Sequence, residues 1–189
     1  MKWKQKLLDQ LEPDLAATDA ASRLGRGHHD VPCAIFPYPA EQELAFREEM
    51  RLLVNRLTQA GKTVRVVSLA ECLVEAIDEQ GRNDFIDSED GDPAKMLETL
   101  GQLLSSVDPL ADLVRRKLPD VLDPARDVVF LVRAASLFKI HRASALMEQA
   151  KAFLTCPSIL FYPGELEHPI GLRFLDRLPP DNSYRYKIY

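Results

Sequence analysis

Apolar positions along the chain follow two periods, that of helices and that of strands. Helices are predicted by apolar spacing and by their boundaries over 3–17, 40–59, 70–79, 93–106, 108–118 and 137–154. Short apolar runs, several of them β-branched, predict strands at 31–39, 63–70, 127–134, 158–164 and 184–189. This alternation predicts an α/β fold, a single domain with a mostly parallel sheet of about five strands flanked by helices.

Two regions depart from the regular alternation. Residues 1–30 are predicted to form an N-terminal helix and loop, and 31–189 the α/β domain, with a helical insertion at about 83–126. Pro13 is expected to bend or split the first helix. The apolar face of that helix carries Trp3, Leu7, Leu8, Leu11 and Leu15.

Glycine and proline predict where several elements end. Pro37 and Pro39 are expected to stop the ladder of the first strand. Gly61 is placed to end the helix over 40–59. The sequence Tyr162-Pro163-Gly164-Glu165 predicts a tight turn, because proline fixes one φ angle and glycine permits a positive one.

Polar side chains stand where several predicted strands end. Ligands of open α/β sheets bind at the carboxyl ends of the strands, so these positions are the first to test for a site. They are Pro37–Tyr38, Ser68, Arg133–Ser136 and Tyr162–Glu165.

Arg133 is the most suggestive of these residues, because it directly follows a strand that the pattern predicts to be buried. A guanidinium group binds carboxylates and phosphates at two points, and a helix N-terminus adds affinity for anions. The candidate anion-binding rim consists of Arg133, Ser136, Arg142 (inside the helix predicted over 137–154) and Glu165. The alternative is a structural ion pair between Arg133 and Glu148, Glu165 or Glu167. The sequence leaves both interpretations open.

No complete catalytic or metal-binding constellation is present in the sequence. Gly61-Lys62-Thr63 resembles the end of a phosphate-binding loop, but Arg56 stands where that motif needs its first glycine. No GxSxG nucleophile elbow occurs, and no histidine or cysteine spacing is typical of zinc. We therefore predict no catalytic residue, no metal and no cofactor, and an enzyme is the less favoured class.

The C-terminal strand is a candidate docking edge for a partner. Alternation puts its tyrosine pair on one face and its cations on the other. An edge strand accepts a partner strand, and the alternative is an ordinary edge protected by charge. The candidate partner-binding residues are Tyr184, Arg185, Tyr186 and Tyr189.

Charge and composition limit the classes of binding partner and the cellular compartment that the sequence favours. The net charge of −5 argues against direct nucleic-acid binding, which usually needs a basic balance. No apolar run approaches the length of a membrane span. The first residues lack the apolar core of a signal peptide. The three cysteines are widely spaced in mostly apolar contexts, so we expect buried thiols in a reducing cytoplasm.

Four stretches carry a family resemblance. They are PCAIFPYPAEQELAFREEM (32–50), LVRAASLFKIHRASALMEQ (131–149), ILFYPGELEHPIGLRFL (159–175) and YRYKIY (184–189). Together they resemble the BrxB family, small proteins of bacteriophage exclusion (BREX) defence systems, over about 30–189. The matching pattern positions are Arg133, Ser136, Arg142, Ser144, Tyr162, Pro163, Gly164, Gly171, Arg173, Phe174, Tyr184 and Arg185.

The resemblance implies a cytoplasmic component of an antiphage system. Members of that family are encoded beside a PglZ-type phosphatase-like protein, a large ATPase, an adenine methyltransferase and often a Lon-like protein. The family has no established enzymatic activity, so it assigns no catalytic residue here. The expectation is a non-enzymatic scaffold or adaptor that binds a PglZ-type protein. The alternative is a nucleotide- or anion-binding regulator, or an enzyme, that uses the rim around Arg133.

Overall fold

A computed structural model describes residues 2–26, 31–79, 92–107, 109–167, 171–175 and 185–189. The helices are α1 (Lys2–Lys6), α2 (Glu12–Ala16), α3 (Ala20–Gly25), α4 (Glu43–Gln59), α5 (Leu69–Glu79), α6 (Pro93–Gln102), α7 (Leu110–Arg116) and α8 (Ala143–Ala150). The strands are β1 (Cys33–Tyr38), β2 (Thr63–Ser68), β3 (Asp127–Val132), β4 (Ser158–Glu167), β5 (Gly171–Phe174) and β6 (Lys187–Ile188). Tyr184 and the first part of the predicted helical insertion, up to residue 91, lie outside the described residues.

The strands form one sheet in the order β2-β3-β4-β1-β6, in which all neighbours are parallel. β5 pairs antiparallel with the end of β4. Every residue of β3 is buried, as expected for an apolar strand inside a parallel sheet. The predicted α/β fold with a mostly parallel sheet and flanking helices is confirmed.

Helices cover both faces of the sheet because the chain reverses its direction of travel across the strands. It crosses from β1 over two strands to β2, and then returns to β3 and β4 in single steps. Since such crossovers are right-handed, the two directions place their helices on opposite faces. Phe46 of α4 packs on one face with Phe130 and Phe161, whereas Cys72 of α5 and Met147 of α8 pack on the other. We call these the α4 face and the α5 face.

The N-terminal helices dock on the α4 face. Trp3, Leu7, Leu11 and Leu15 are buried there as predicted, but Leu8 is 42% exposed. A π-helical turn at Leu7–Leu11 separates α1 from α2, and Pro13 lies in the first turn of α2. Proline has no N–H to donate to the preceding turn, which accounts for the irregularity at the predicted place.

Two features near the N-terminus differ from the prediction. The loop expected between the helix over 3–17 and residue 30 contains α3, whose buried Leu24 joins the α4-face core. Pro37 lies inside β1, where it stands opposite Tyr162 of β4. The neighbouring β6 pairs only with Ala34 and Ile35, so the ladder on that side has already ended before Pro37.

The tight turn predicted at Tyr162–Glu165 is wrong, because β4 continues through these residues. Gly164 faces β5, where the Cβ of any other residue would lie 2.0 Å from the carbonyl oxygen of Arg173. The glycine therefore serves a close approach of two backbones and not a turn.

The helix predicted over 137–154 begins later than expected. A 3-10 turn at Ala134–Leu137 and a left-handed Lys139 (φ 61°) precede α8. Arg142 consequently lies immediately before α8 and not inside it. The apolar spacing remains helical, since Ala143, Met147 and Ala150 are buried on the α5 face.

Candidate functional site

The carboxyl ends of β1 to β4 meet along one border of the sheet. Tyr38 stands beside Pro163, and Ser68 beside Val132. The chain leaves β1 for the α4 face and leaves β2 and β3 for the α5 face, which is the arrangement where open sheets bind ligands. We call this border the strand-end rim and define it by Tyr38, Ser68, Arg133 and Glu43, which begins α4.

Arg133 holds a backbone conformation that is uncommon for a side-chain-bearing residue. Its φ of 64° lies in the left-handed region, directly after β3. Such a conformation costs roughly 1 kcal/mol or more and persists only where the surroundings enforce it. The Ser136 hydroxyl donates to the Arg133 carbonyl at 2.8 Å and helps to fix the turn.

A carboxylate of α4 faces the Arg133 side chain. The Nε of Arg133 lies 3.9 Å from Oε1 of Glu43, and Arg47 Nε donates to the same oxygen at 2.8 Å. The Tyr38 hydroxyl donates to the other carboxylate oxygen. Glu43 therefore joins β1, β3 and α4. The sequence predicts Glu148, Glu165 or Glu167 as the ion-pair partner of Arg133, whereas the structure places Glu43 there.

Tyr38 is built into this network as a fixed donor. Its side chain is 1% exposed, and its ring stacks on Phe46 with centroids 4.0 Å apart. Burial, together with the negative charge of Glu43, raises the pKa of the phenol. The hydroxyl accordingly stays protonated at physiological pH and donates to Glu43.

An open groove of about 660 Å³ runs from Arg133 along the outward face of α5. The residues that line it are Ser68, Ala70, Glu71, Val74, Glu75, Asp78, Glu79 and Arg133. Glu75 pairs with Lys117, and Glu79 with Arg116 at 3.1 Å. The lining contains four carboxylates and one guanidinium, and Lys117 and Arg116 compensate two of the carboxylates, so the groove keeps a negative balance that does not suit an anion.

The structure brings together only part of the predicted anion rim. The Ser136 hydroxyl donates to the Arg133 carbonyl, as described above. Arg142 is exposed before α8, and its carbonyl oxygen lies 3.0 Å from Nδ1 of His141. Glu165 is exposed and stands opposite Arg173 of β5. Neither Arg142 nor Glu165 is among the described residues that line the groove.

Comparison with family models gives a match to BREX protein BrxB over residues 65–188. The match covers more than half of the chain and runs from β2 to β6. The chain belongs to the BrxB family. Its membership gives it a role in BREX antiphage defence. The searches of curated proteins and of solved structures find no match.

The range that matches BrxB divides the strand-end rim. It includes Ser68, Arg133 and the whole lining of the groove, but it begins after Glu43 and Arg47. Sequence reasoning also missed Glu43 as a site residue. A signal existed, since Glu43 and Arg47 stand one helical turn apart directly after a predicted strand end.

The C-terminal candidates for partner binding are mostly built into the core of this BrxB-family chain. Tyr186 is buried on the α5 face and Tyr189 on the α4 face. The Tyr189 hydroxyl donates to Asp14 at 2.8 Å, and Lys187 donates to the same carboxylate at 2.7 Å. Arg185 is exposed. Docking at this edge stays a prediction, and Arg185 is the described residue best placed for it.

Two further properties concern the described residues only. They contain no group of three or more histidine, cysteine or acidic side chains that is arranged to hold a metal ion. None of the helices among them has both the length and the apolar character that crossing a membrane requires.

Proposed function

We propose that this protein is a non-enzymatic adaptor within a BREX assembly and that a PglZ-type protein is its direct partner. The observation that supports an adaptor most is the state of the strand-end rim. Glu43, the carboxylate at its centre, accepts hydrogen bonds from Tyr38 and Arg47 and forms an ion pair with Arg133. Groups held in such a network position elements of the fold and are poorly placed to take part in a reaction.

The choice of partner rests on the family and on charge. BrxB proteins are encoded beside PglZ-type proteins, which makes the latter the first partner to test. The acidic groove and the net charge of −5 favour a protein partner with basic groups over nucleic acid.

Affinity purification of the tagged chain from its own host, at physiological salt, tests the proposal. The PglZ-type protein is expected among the co-eluting proteins identified by mass spectrometry. The control is the same strain without the PglZ-type gene, in which the other BREX components should no longer co-elute. Absence of the PglZ-type protein from the eluate of the intact strain would contradict direct binding, and undiminished recovery of the other components from the deletion strain would show that the PglZ-type protein does not link them to the chain.

Arg185 offers a test of the C-terminal docking edge. Reversal of its charge in Arg185→Glu should lower recovery of the partner without lowering the thermal midpoint of the adaptor. The matched control is Arg51→Glu, an exposed arginine on α4. Equal recovery with both variants would remove the C-terminal edge from the proposal.

The anion-binding alternative makes a different prediction. If the rim around Arg133 held a nucleotide or phosphate, a ligand at about one hundred times its Kd would stabilise the fold by about 2.7 kcal/mol. We expect no such shift of the thermal midpoint with millimolar ATP or phosphate, because the groove is acidic. A shift that disappears in Arg133→Ala would support the alternative and count against the adaptor.

A further inference from the structure

β2 is the edge of the sheet farthest from β6, and its outer side carries no strand among the described residues. It is six residues long, whereas β6 has two. The long edge is thus opposite to the C-terminal strand, which the sequence predicts as a docking edge.

The direction of the backbone groups of β2 follows from its register. Thr63 stands opposite Asp127, and its N–H donates to the carbonyl of Arg126 at 2.8 Å. Because these groups alternate along a strand, Thr63, Arg65 and Val67 face β3. The N–H and C=O groups of Val64 and Val66, with the N–H of Ser68, therefore face away from the sheet.

This edge carries little protection against strand addition. β2 contains no proline, and the charge of Arg65, its one charged residue, is compensated by Asp127 at 3.3 Å. Val66 exposes 46% of its surface. An edge of six residues with an exposed valine is suited to an extended peptide that supplies both hydrogen bonds and apolar contact.

Charge selects the kind of segment that fits. The edge ends at Ser68, where the acidic groove begins. Glu71, in the first turn of α5, forms no salt bridge with another described residue, unlike Glu75 and Glu79. A lysine or arginine at the end of an added strand would form an ion pair with this carboxylate.

The same charge argues against a second copy of this chain as the occupant. Antiparallel pairing of two β2 strands would bring two acidic α5 helices to the same face of the joined sheet. Each chain also carries a net charge of −5. Repulsion between like charges disfavours this self-association, whereas a basic segment of another protein would be attracted to the same surface.

We propose that β2 accepts an added strand from a protein partner, an extended segment with alternating apolar residues and a lysine or arginine that reaches Glu71. The proposal rests on the adaptor role and adds a docking surface at the sheet edge opposite to that of Arg185.

Residue-level hydrogen exchange of the intact chain, alone and with the PglZ-type protein of the same BREX system, tests this surface. The amides of Val64 and Val66 should become protected in the complex, whereas those of Thr63 and Arg65 are already bonded to β3 and should change little.

A complex without new protection at Val64 and Val66 would overturn the strand addition but leave the adaptor role standing. Absence of any complex would contradict the adaptor role and this inference with it. Protection that rises with concentration of the chain alone would assign β2 to self-association and overturn a partner strand.

Two variants test the same point by affinity. Val66→Lys places a charge on the edge and should weaken binding to the PglZ-type protein by about tenfold or more. The control is Leu52→Lys, because this leucine is 50% exposed, much like Val66, but lies on the helix α4 and not on an edge strand. Glu71→Lys should also weaken binding, increasingly so at low salt. If Val66→Lys and Leu52→Lys bind equally well, β2 is not the docking edge.

Discussion

At the scale of single residues, Glu43 shows how one carboxylate joins parts of the chain that are distant in sequence. It accepts from Tyr38 and Arg47 and faces Arg133, more than eighty positions further along the chain. Helical spacing predicts the pair with Arg47 from the sequence. The approach of Arg133 depends on the order of strands in the sheet, which local spacing does not encode.

Two glycines offer a matched test of why glycine is needed. Gly61→Ala meets nothing within 4 Å and is strained only by its φ of 84°, so it should cost about 1 kcal/mol. Gly164→Ala must push the Arg173 carbonyl away from a 2.0 Å contact, and should cost more than about 2 kcal/mol. Urea unfolding measures both free energies. Equal costs would contradict the tight packing of β4 on β5.

The three cysteines should be unreactive in the native state. All are buried, and burial raises the pKa of Cys33 to about 12 and those of Cys72 and Cys156 to about 11. Since the thiolate is the reactive form, a thiol reagent at pH 8 should label them slowly in the folded chain and rapidly in denaturant. Fast labelling of any one before unfolding would contradict its burial.

At the scale of elements, Asp14 fastens the N-terminal helices to the last strand. Lys187 and Tyr189 both donate to its carboxylate, and Arg23 of α3 lies 3.6 Å away. Burial raises its pKa, but the hydrogen bonds from Lys187 and Tyr189 outweigh this effect, and the net pKa lies below the ordinary 3.8. The N-terminal helices are thereby tied to the α/β domain.

This arrangement predicts a pH-dependent contribution to stability. A carboxyl with a lowered folded-state pKa stabilises the fold above its unfolded pKa, and the contribution is lost as pH falls through the folded value. Asp14→Asn should therefore lower the free energy of unfolding by about 1–3 kcal/mol at neutral pH. The deficit should shrink as pH falls below 3.8.

Asp19→Asn is the control for that prediction, because Asp19 makes an exposed pair with Arg23 and should change stability little. Unfolding curves at several pH values measure both variants. A deficit of Asp14→Asn that stays constant down to acid pH would show that its carboxylate charge does not fasten the helices.

At the scale of the whole molecule, periodicity predicted most elements, and long-range pairing decided what it missed. The buried strand β3 and the helix α4 follow directly from their apolar spacing. Pro163-Gly164 has the composition of a turn, yet it lies inside β4 because β5 packs closely against it. Arg133 and Ser136 lie at the border where the candidate rim is predicted, whereas Arg142 and Glu165 do not line the groove there, because α8 begins later and β4 runs further than the sequence predicts.

The central claim is that this protein binds a PglZ-type protein directly. Size-exclusion chromatography with light scattering, on an equimolar mixture with the purified PglZ-type protein at physiological salt, tests it most directly. The account predicts one co-eluting species whose mass is that of a complex. Two species that elute separately, each with its own mass, would contradict it.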